Sequence, residues 1–265
     1  MKRIVNELSH AFCPYIDTEK TIFETLDLKS IDDKYSLIQL PLAHIINTYG
    51  LENTNRIISS IDEENRVFIC QHILVDKLNF RDDDIVFTPH STINDKFITI
   101  PHFSENIDTV YGNNDKYPFS FLGSTKTHHI RKQIVENYDY CYDSKVYWGL
   151  DTEMSQSFKR RYIELLGDSK YSLAPRGTGI SSVRLFEAIA MGSFPIVIAD
   201  GYQFPLDNII EWDKISLHIK ESDVDIIPSI IENSPELDKL YLREVYNRYL
   251  SNYKLSETVY LTLKS

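Results

Sequence analysis

The sequence predicts an α/β protein built from two parallel-sheet halves, and three observations carry that reading. Short runs rich in Ile, Val, Phe and Tyr alternate with stretches of helical periodicity, the pattern of successive strand–helix units. One stretch, YSLAPRGTGISSVRLFEAIAMGSFPIVIADGYQFPLDNIIEW (171–212), reads as strand, glycine turn, helix, strand and loop. With 42% hydrophobic and 25% charged residues among 265, the composition is globular, which excludes a disordered or fibrous protein. That length allows two domains of about 130 residues.

In chain order, the first predicted strand is SLIQL (36–40), stopped by Pro41, and a helical pattern follows at 51–61. RVFIC (66–70), IVFT (85–88) and FITI (97–100) are β-branched and aromatic, and the last two stop at Pro89 and Pro101. FSFL (119–122) ends at Gly123 and leads into a helical pattern at 129–137. KVYW (145–148), YSLA (171–174), FPIVIA (194–199) and ISLHI (215–219) complete the strands, with helical patterns at 155–167, 182–191 and 226–233. A long amphipathic helix is expected over 235–253, with Leu237, Leu240, Val245, Tyr249 and Leu250 on its apolar face. These elements divide into domains at 1–144 and 145–265, the C-terminal helix being able to pack back on the first. Open parallel sheets bind ligands beyond the carboxyl ends of their strands, so a cleft between two such halves is the expected site.

A formal charge of −11 argues against nucleic acid as a partner, since a phosphate-backbone binder carries a basic surplus. Cys13, Cys70 and Cys141 are far apart and contain no C-x-x-C, which fits a reducing compartment without disulfides or a zinc site. The N-terminus has no apolar core of signal-peptide length, and the most apolar stretch, 37–46, is too short to span a bilayer. These features predict a soluble, cytoplasmic chain with no integral membrane segment.

The 171–212 stretch has the makings of an anion site. Pro175 stops the strand, Gly177 and Gly179 permit a tight turn, and Ser181 or Ser182 is a natural N-cap. The following helix buries Leu185, Phe186 and Ile189 and ends at Gly192. Backbone N–H groups and the positive end of the helix dipole point into such a turn. With Arg176 in the turn, Arg184 in the helix and hydroxyls at 181 and 182, the segment suits a phosphate or diphosphate. Glu187, three residues beyond Arg184, is placed to accept hydrogen bonds from two ribose hydroxyls, although that spacing also describes an ordinary surface ion pair. GTGISS further imitates the dinucleotide fingerprint G-x-G-x-x-G, with Asp200 where a ribose-binding acid would sit; Ser182 replaces the third glycine.

Five ordered motifs resemble the exostosin-type glycosyltransferases: L-x-P-R-G (173–177), S-x-R-x-x-E-A (182–188), G-x-x-P-I-V-I (192–198), Pro205–Leu206 and Glu211–Trp212. The likeness is clear over 158–233 and extends more weakly to DKFITIPHF (95–103) and FSFLGSTKTHHIRKQIV (119–135). It implies a compact GT-B architecture: two Rossmann-like domains facing a cleft, with the acceptor mainly on the first and the nucleotide-sugar donor on the second. It also implies an inverting transfer from a nucleoside-diphosphate sugar, a UDP-sugar in family members with these motifs, to a hydroxyl of a glycan acceptor. No cofactor and no bound metal are implied. Asp82, Asp83 and Asp84 superficially match a D-x-D metal signature, but a strand-entry loop accounts for them.

Such chemistry needs positive charge on the leaving phosphate and a base near the acceptor hydroxyl. Arg176, Gly177, Ser181, Ser182 and Arg184 are the expected diphosphate site and Glu187 the ribose site; Arg131, after Gly123, is a further candidate for the diphosphate. His72, His90 and His102 each follow a strand end in the first half, and one of them is the expected base, with Asp76 a fourth candidate. His128 and His129 are neighbours that do not share a helix face, so no metal pair is expected there. Two other functions stay open on sequence grounds: a catalytically silent nucleotide- or sugar-binding module, and a dinucleotide-binding, dehydrogenase-like protein.

Overall fold

The structure is a computed structural model that describes residues 1–12, 17–93, 96–104, 116–144 and 153–264. The expected strand at 145–148 lies outside the described residues, as does Cys13. The chain forms two compact units, 1–103 with 201–206 and 249–265, and 104–200 with 207–248.

The first unit is organised on a parallel five-stranded sheet in sequential order, β1 (Lys2–Ile4), β2 (Ser36–Ile38), β3 (Arg66–Ile69), β4 (Ile85–Thr88) and β5 (Ile98–Thr99). Its central strands β2, β3 and β4 are buried on both faces, as parallel strands covered by two layers are, while the edge strand β1 is only partly covered. Leu37, Val67, Ile69 and Phe87 pack with α1 (Thr18–Thr25) and the C-terminal α8 (Leu255–Lys264). Ile38, Phe68 and Val86, one residue out of step, pack with α2 (Leu42–Ser59). The period of two along each strand thus assigns alternate side chains to the two layers. Gly50 interrupts α2 with φ of 79° and ψ of 167°, so the helical pattern expected from 51 is the second of two segments meeting at a kink. Arg66 is buried on β3 and holds Asp84 through Nε at 2.7 Å and Nη2 at 2.6 Å. Asp84 is therefore a structural ion-pair partner, and among the three aspartates only Asp82 and Asp83 are solvated loop residues.

The second unit carries a parallel sheet in the order β10–β9–β8–β6–β7. Its strands are β6 (Tyr117–Gly123), β7 (Cys141–Asp143), β8 (Ser169–Pro175), β9 (Phe194–Ile198) and β10 (Leu217–Ile219). Helices α3 (His129–Asn137), α4 (Glu153–Asp168), α5 (Val183–Ala190) and α6 (Ile227–Glu232) match the helical patterns in the sequence to within a few residues. Cys70 and Cys141 are buried and free.

Three features differ from the sequence reading. β6, and with it residues 141–143, assigned there to domain 1–144, belong to the second sheet, because β6 pairs with β8 from Tyr117↔Ser169 to Ser120↔Ser172 and with β7. β1, β7 and α1 carry too few periodic positions to register as elements. The expected helix over 235–253 is broken: α7 (Lys239–Val245) runs into a π-turn at Tyr246–Leu250, and α8 follows with its apolar face on α1. Two parallel five-stranded α/β units are the Rossmann-like pair of a GT-B-type fold.

Candidate functional site

In the second sheet, β6 is flanked by β7 on one side and β8 on the other, so the winding reverses between β6 and β8. The crevice beyond the carboxyl ends of these two strands is where an open parallel sheet binds ligands. Both sequence segments with anion-binding character start there: the glycine turn after Pro175, and the Ser124–His128 turn after Gly123 that leads into α3.

Arg131 in the first turn of α3 ties the two segments together. Its Nε donates to the Arg176 carbonyl at 2.8 Å and its Nη2 to the Pro175 carbonyl at 3.0 Å. Burial, and then the nearby Arg184 charge, bring its pKa down to about 10. A Cβ at position 177 would stand 3.1 Å from Arg131 Nη2, so glycine favours this close approach, and its φ is not left-handed. Arg131 was expected to reach the diphosphate from the first domain; it belongs to the second unit and braces its turn.

Arg184 is 8% exposed. Its Nη2 donates to the Leu122 carbonyl, and its guanidinium lies 4.7 Å from the ring centroid of Phe121 and 4.6 Å from that of Tyr162. The Tyr162 hydroxyl in turn donates to Glu187 Oε2, while burial pushes the phenol pKa well above 10. Arg184 and Glu187 are thus joined through Tyr162, inside the unit, and do not form the surface pair that their spacing allows.

Arg176 stays half-exposed, and its Nη1 stands 3.7 Å from Glu221 Oε1. Ser181 is 8% exposed and its hydroxyl has no hydrogen-bond partner among the described residues. Ser182 is the N-cap of α5, with extended φ and ψ of −129° and 126°, but its side chain caps nothing. In the first turn of α5, Leu185 N donates to the Ser182 carbonyl at 3.1 Å, while the N–H groups of Val183 and Arg184 precede the first intrahelical acceptor. An orphaned buried hydroxyl, a helix N-terminus and Arg176 form a cradle suited to phosphate oxygens.

Of three further members of this edge, sequence reasoning missed Glu221 and considered Asp200 and His128 only in other roles. Glu221 lies two residues beyond β10, and its Oε2 stands 3.9 Å from His128 Nε2. Asp200 follows β9 and exchanges backbone bonds with Glu221: Glu221 N donates to Asp200 Oδ1 at 2.9 Å, and Asp200 N to Glu221 Oε1 at 3.2 Å. That bonding replaces the ribose role a dinucleotide fingerprint would give Asp200. His128 was set aside only because it cannot share a metal with His129. For Asp200 and Glu221, the position just beyond a strand end was a usable signal.

The three candidate bases lie in the first unit. His72 is half-buried; its Nδ1 accepts from Leu74 N at 3.1 Å and its Nε2 faces Asn47 Oδ1 at 3.3 Å. His90 and His102 are brought together as an edge-to-face ring pair, 5.2 Å between centroids. His102 is 3% exposed, and burial, followed by the His90 charge, holds its pKa well below 6.5. Asp76 is exposed beside Lys77. A group that sequence reading overlooked is Glu19 at the start of α1, fully buried. Its Oε1 accepts from Ala43 N at 3.1 Å and Gln71 N at 3.0 Å, while burial raises its pKa to about 8. Among the described residues no cluster of three His, Cys, Asp or Glu is arranged to hold a metal, and no helix is long and apolar enough to cross a membrane.

The Exostosin GT47 domain family matches residues 43–234, most of the 265-residue chain. An exostosin-1 homolog of Caenorhabditis elegans is 33% identical over 93 residues, 34% of this chain and 24% of that protein. A probable glucuronosyltransferase of Oryza sativa subsp. japonica is 34% identical over 83 residues, 31% of this chain and 19% of that one. A probable glucuronoxylan glucuronosyltransferase of Arabidopsis thaliana is 36% identical over 72 residues, 27% of this chain and 16% of that one. The matches thus span less than a quarter of the length of these relatives. By its family match, its ordered motifs and its paired parallel sheets, the chain belongs to the exostosin-type glycosyltransferase family.

Proposed function

We propose that this chain transfers a sugar from a nucleoside-diphosphate donor, UDP in our reading, to a hydroxyl of a glycan acceptor with inversion and without a metal. The observation that carries this reading is the cradle at the β6/β8 switch point: Arg176, the orphaned Ser181 hydroxyl and the α5 N-terminus beside the braced arginines 131 and 184. As the bond from the anomeric carbon to the diphosphate breaks, its electron pair passes to a phosphate oxygen. Arg176 and oriented N–H dipoles stabilise that charge without rearranging. Glu187, steadied by the Tyr162 hydroxyl, takes the ribose hydroxyls.

The acceptor hydroxyl loses its proton to a base as its oxygen attacks the opposite face of the anomeric carbon. Of the three histidines, accessibility supports His72 and His90 over the buried His102, because a base must touch the acceptor. Calorimetry of UDP binding in excess chelator tests the donor assignment. Binding under those conditions is expected; binding that appears only after manganese is added overturns the metal-free claim. Transfer or donor hydrolysis by the chain then separates a transferase from a silent binding module.

A further inference from the structure

We propose that His128 is a further phosphate-binding side chain of this donor site, which Glu221 pairs with in the place a phosphate takes. The proposal rests on the donor-site reading above and extends it to a residue on a second helix. His128 is the N-cap residue of α3, on the carboxyl edge of β6, while Arg176 is on the adjoining edge of β8. One carboxylate addresses both: Glu221 Oε1 stands 3.7 Å from Arg176 Nη1, and Glu221 Oε2 stands 3.9 Å from His128 Nε2. Two oxygens of one anion bridging an arginine and a histidine is also the arrangement a phosphate group adopts. His128 Nδ1, meanwhile, is buried with no hydrogen-bond partner among the described residues.

The surroundings disfavour the cationic ring, so a bound anion would shift it toward protonation. Burial lowers its pKa below 6.5 and Glu221 opposes that shift; Arg176, His129 and Arg131 add to the lowering. The helix dipole at the N-terminus of α3 acts in the same direction. The diphosphate of a nucleotide sugar brings two negative charges to this edge, and the ring then takes up a proton to donate to a phosphate oxygen. By linkage, a group that gains a proton on binding makes binding tighter at lower pH, and each unit of pKa rise is worth about tenfold in affinity at the acid limit.

The probe is UDP-glucose, whose two phosphate groups are diesters that stay ionised across the range used. Its binding to the full chain is measured calorimetrically between about pH 6 and about pH 8, in buffers of different ionisation enthalpy, so that proton uptake is read directly. Wild type is expected to take up a fraction of a proton at neutral pH and to bind several-fold more tightly at the acid end. His128→Gln should bind with little pH dependence and no such uptake, and Glu221→Gln should bind more tightly than wild type at every pH. A His128→Gln chain that takes up as many protons as wild type overturns the role of His128 and leaves the donor site standing. Failure of wild type itself to bind UDP-glucose overturns the donor-site reading, and this proposal with it.

Discussion

Arg184 lies over the ring of Tyr162, 4.6 Å from its centroid, while the hydroxyl of the same tyrosine donates to Glu187. A cation and an anion three residues apart on one helix are thereby separated by an aromatic ring and held in register, both turned into the unit. Arg184 Nη2 donates to the Leu122 carbonyl from this position.

Arg184→Ala should therefore destabilise the fold, contrary to what a surface pair would predict. Removing a charge-assisted donor from a buried carbonyl costs about 1.5–3 kcal/mol, and the stacking on Phe121 and Tyr162 is lost with it. Urea denaturation checks the loss. Arg184→Lys keeps the charge but not the planar stack, so it should recover only part of the stability. A variant with wild-type stability would show that the Leu122 contact contributes nothing.

Gly123→Ala places a methyl 2.9 Å from Arg184 Nη2 and 2.9 Å from the Phe121 ring. Overpacking of that kind costs about 1–3 kcal/mol. The urea midpoint should fall, and UDP binding with it, since the same guanidinium braces the β6 edge. Unchanged stability would mean the arginine moves aside freely.

Tyr162→Phe should weaken UDP binding while sparing turnover of bound donor, because the hydroxyl steadies Glu187 and touches no reacting atom. One hydrogen bond of about 1 kcal/mol corresponds to roughly fivefold in affinity. The apparent KM for donor should rise more than kcat falls. A 2′-deoxyribose donor should show a smaller penalty in the mutant than in wild type; equal penalties would detach Tyr162 from ribose recognition.

Glu19 predicts a stability that falls as pH rises. Its pKa is about 8 in the fold, against an ordinary value of 4.5. The folded chain thus holds a proton that the unfolded chain releases between those values, and stability declines across that window. Glu19→Gln keeps the carbonyl that accepts from Ala43 and Gln71 but cannot ionise. Denaturation at about pH 5 and about pH 8 should show a steeper drop for wild type than for the variant, and parallel behaviour would place the ionisation of Glu19 outside the window.

Most strands and helices of the second unit were legible in the sequence because each carries its own signal. The run FPIVI is apolar throughout, SSVRLFEAIAMG combines a cap, a helical stripe and a glycine stop, and Pro175 marks a strand end. Four members of the site were legible to the same degree: Arg176, Gly177, Ser181 and Ser182 are contiguous with those signals. β1 and β7 were not, since three residues are too few to show a period, and neither was the break in the 235–253 helix, whose amphipathic pattern continues through the π-turn.

The sequence by itself determined the α/β class, the family and the turn that can hold an anion, because those depend on residues adjacent in the chain. Only the tertiary structure decided the rest. Pairing of β6 with β8 moved the 117–144 segment into the second sheet and brought His128 and Glu221 to the edge that carries Arg176. Burial then turned Arg184 and Arg131 from free charges into braces on backbone carbonyls. The reason is physical: a guanidinium removed from water must find acceptors close by, and which carbonyls lie within its reach depends on strand pairing across gaps of tens of residues.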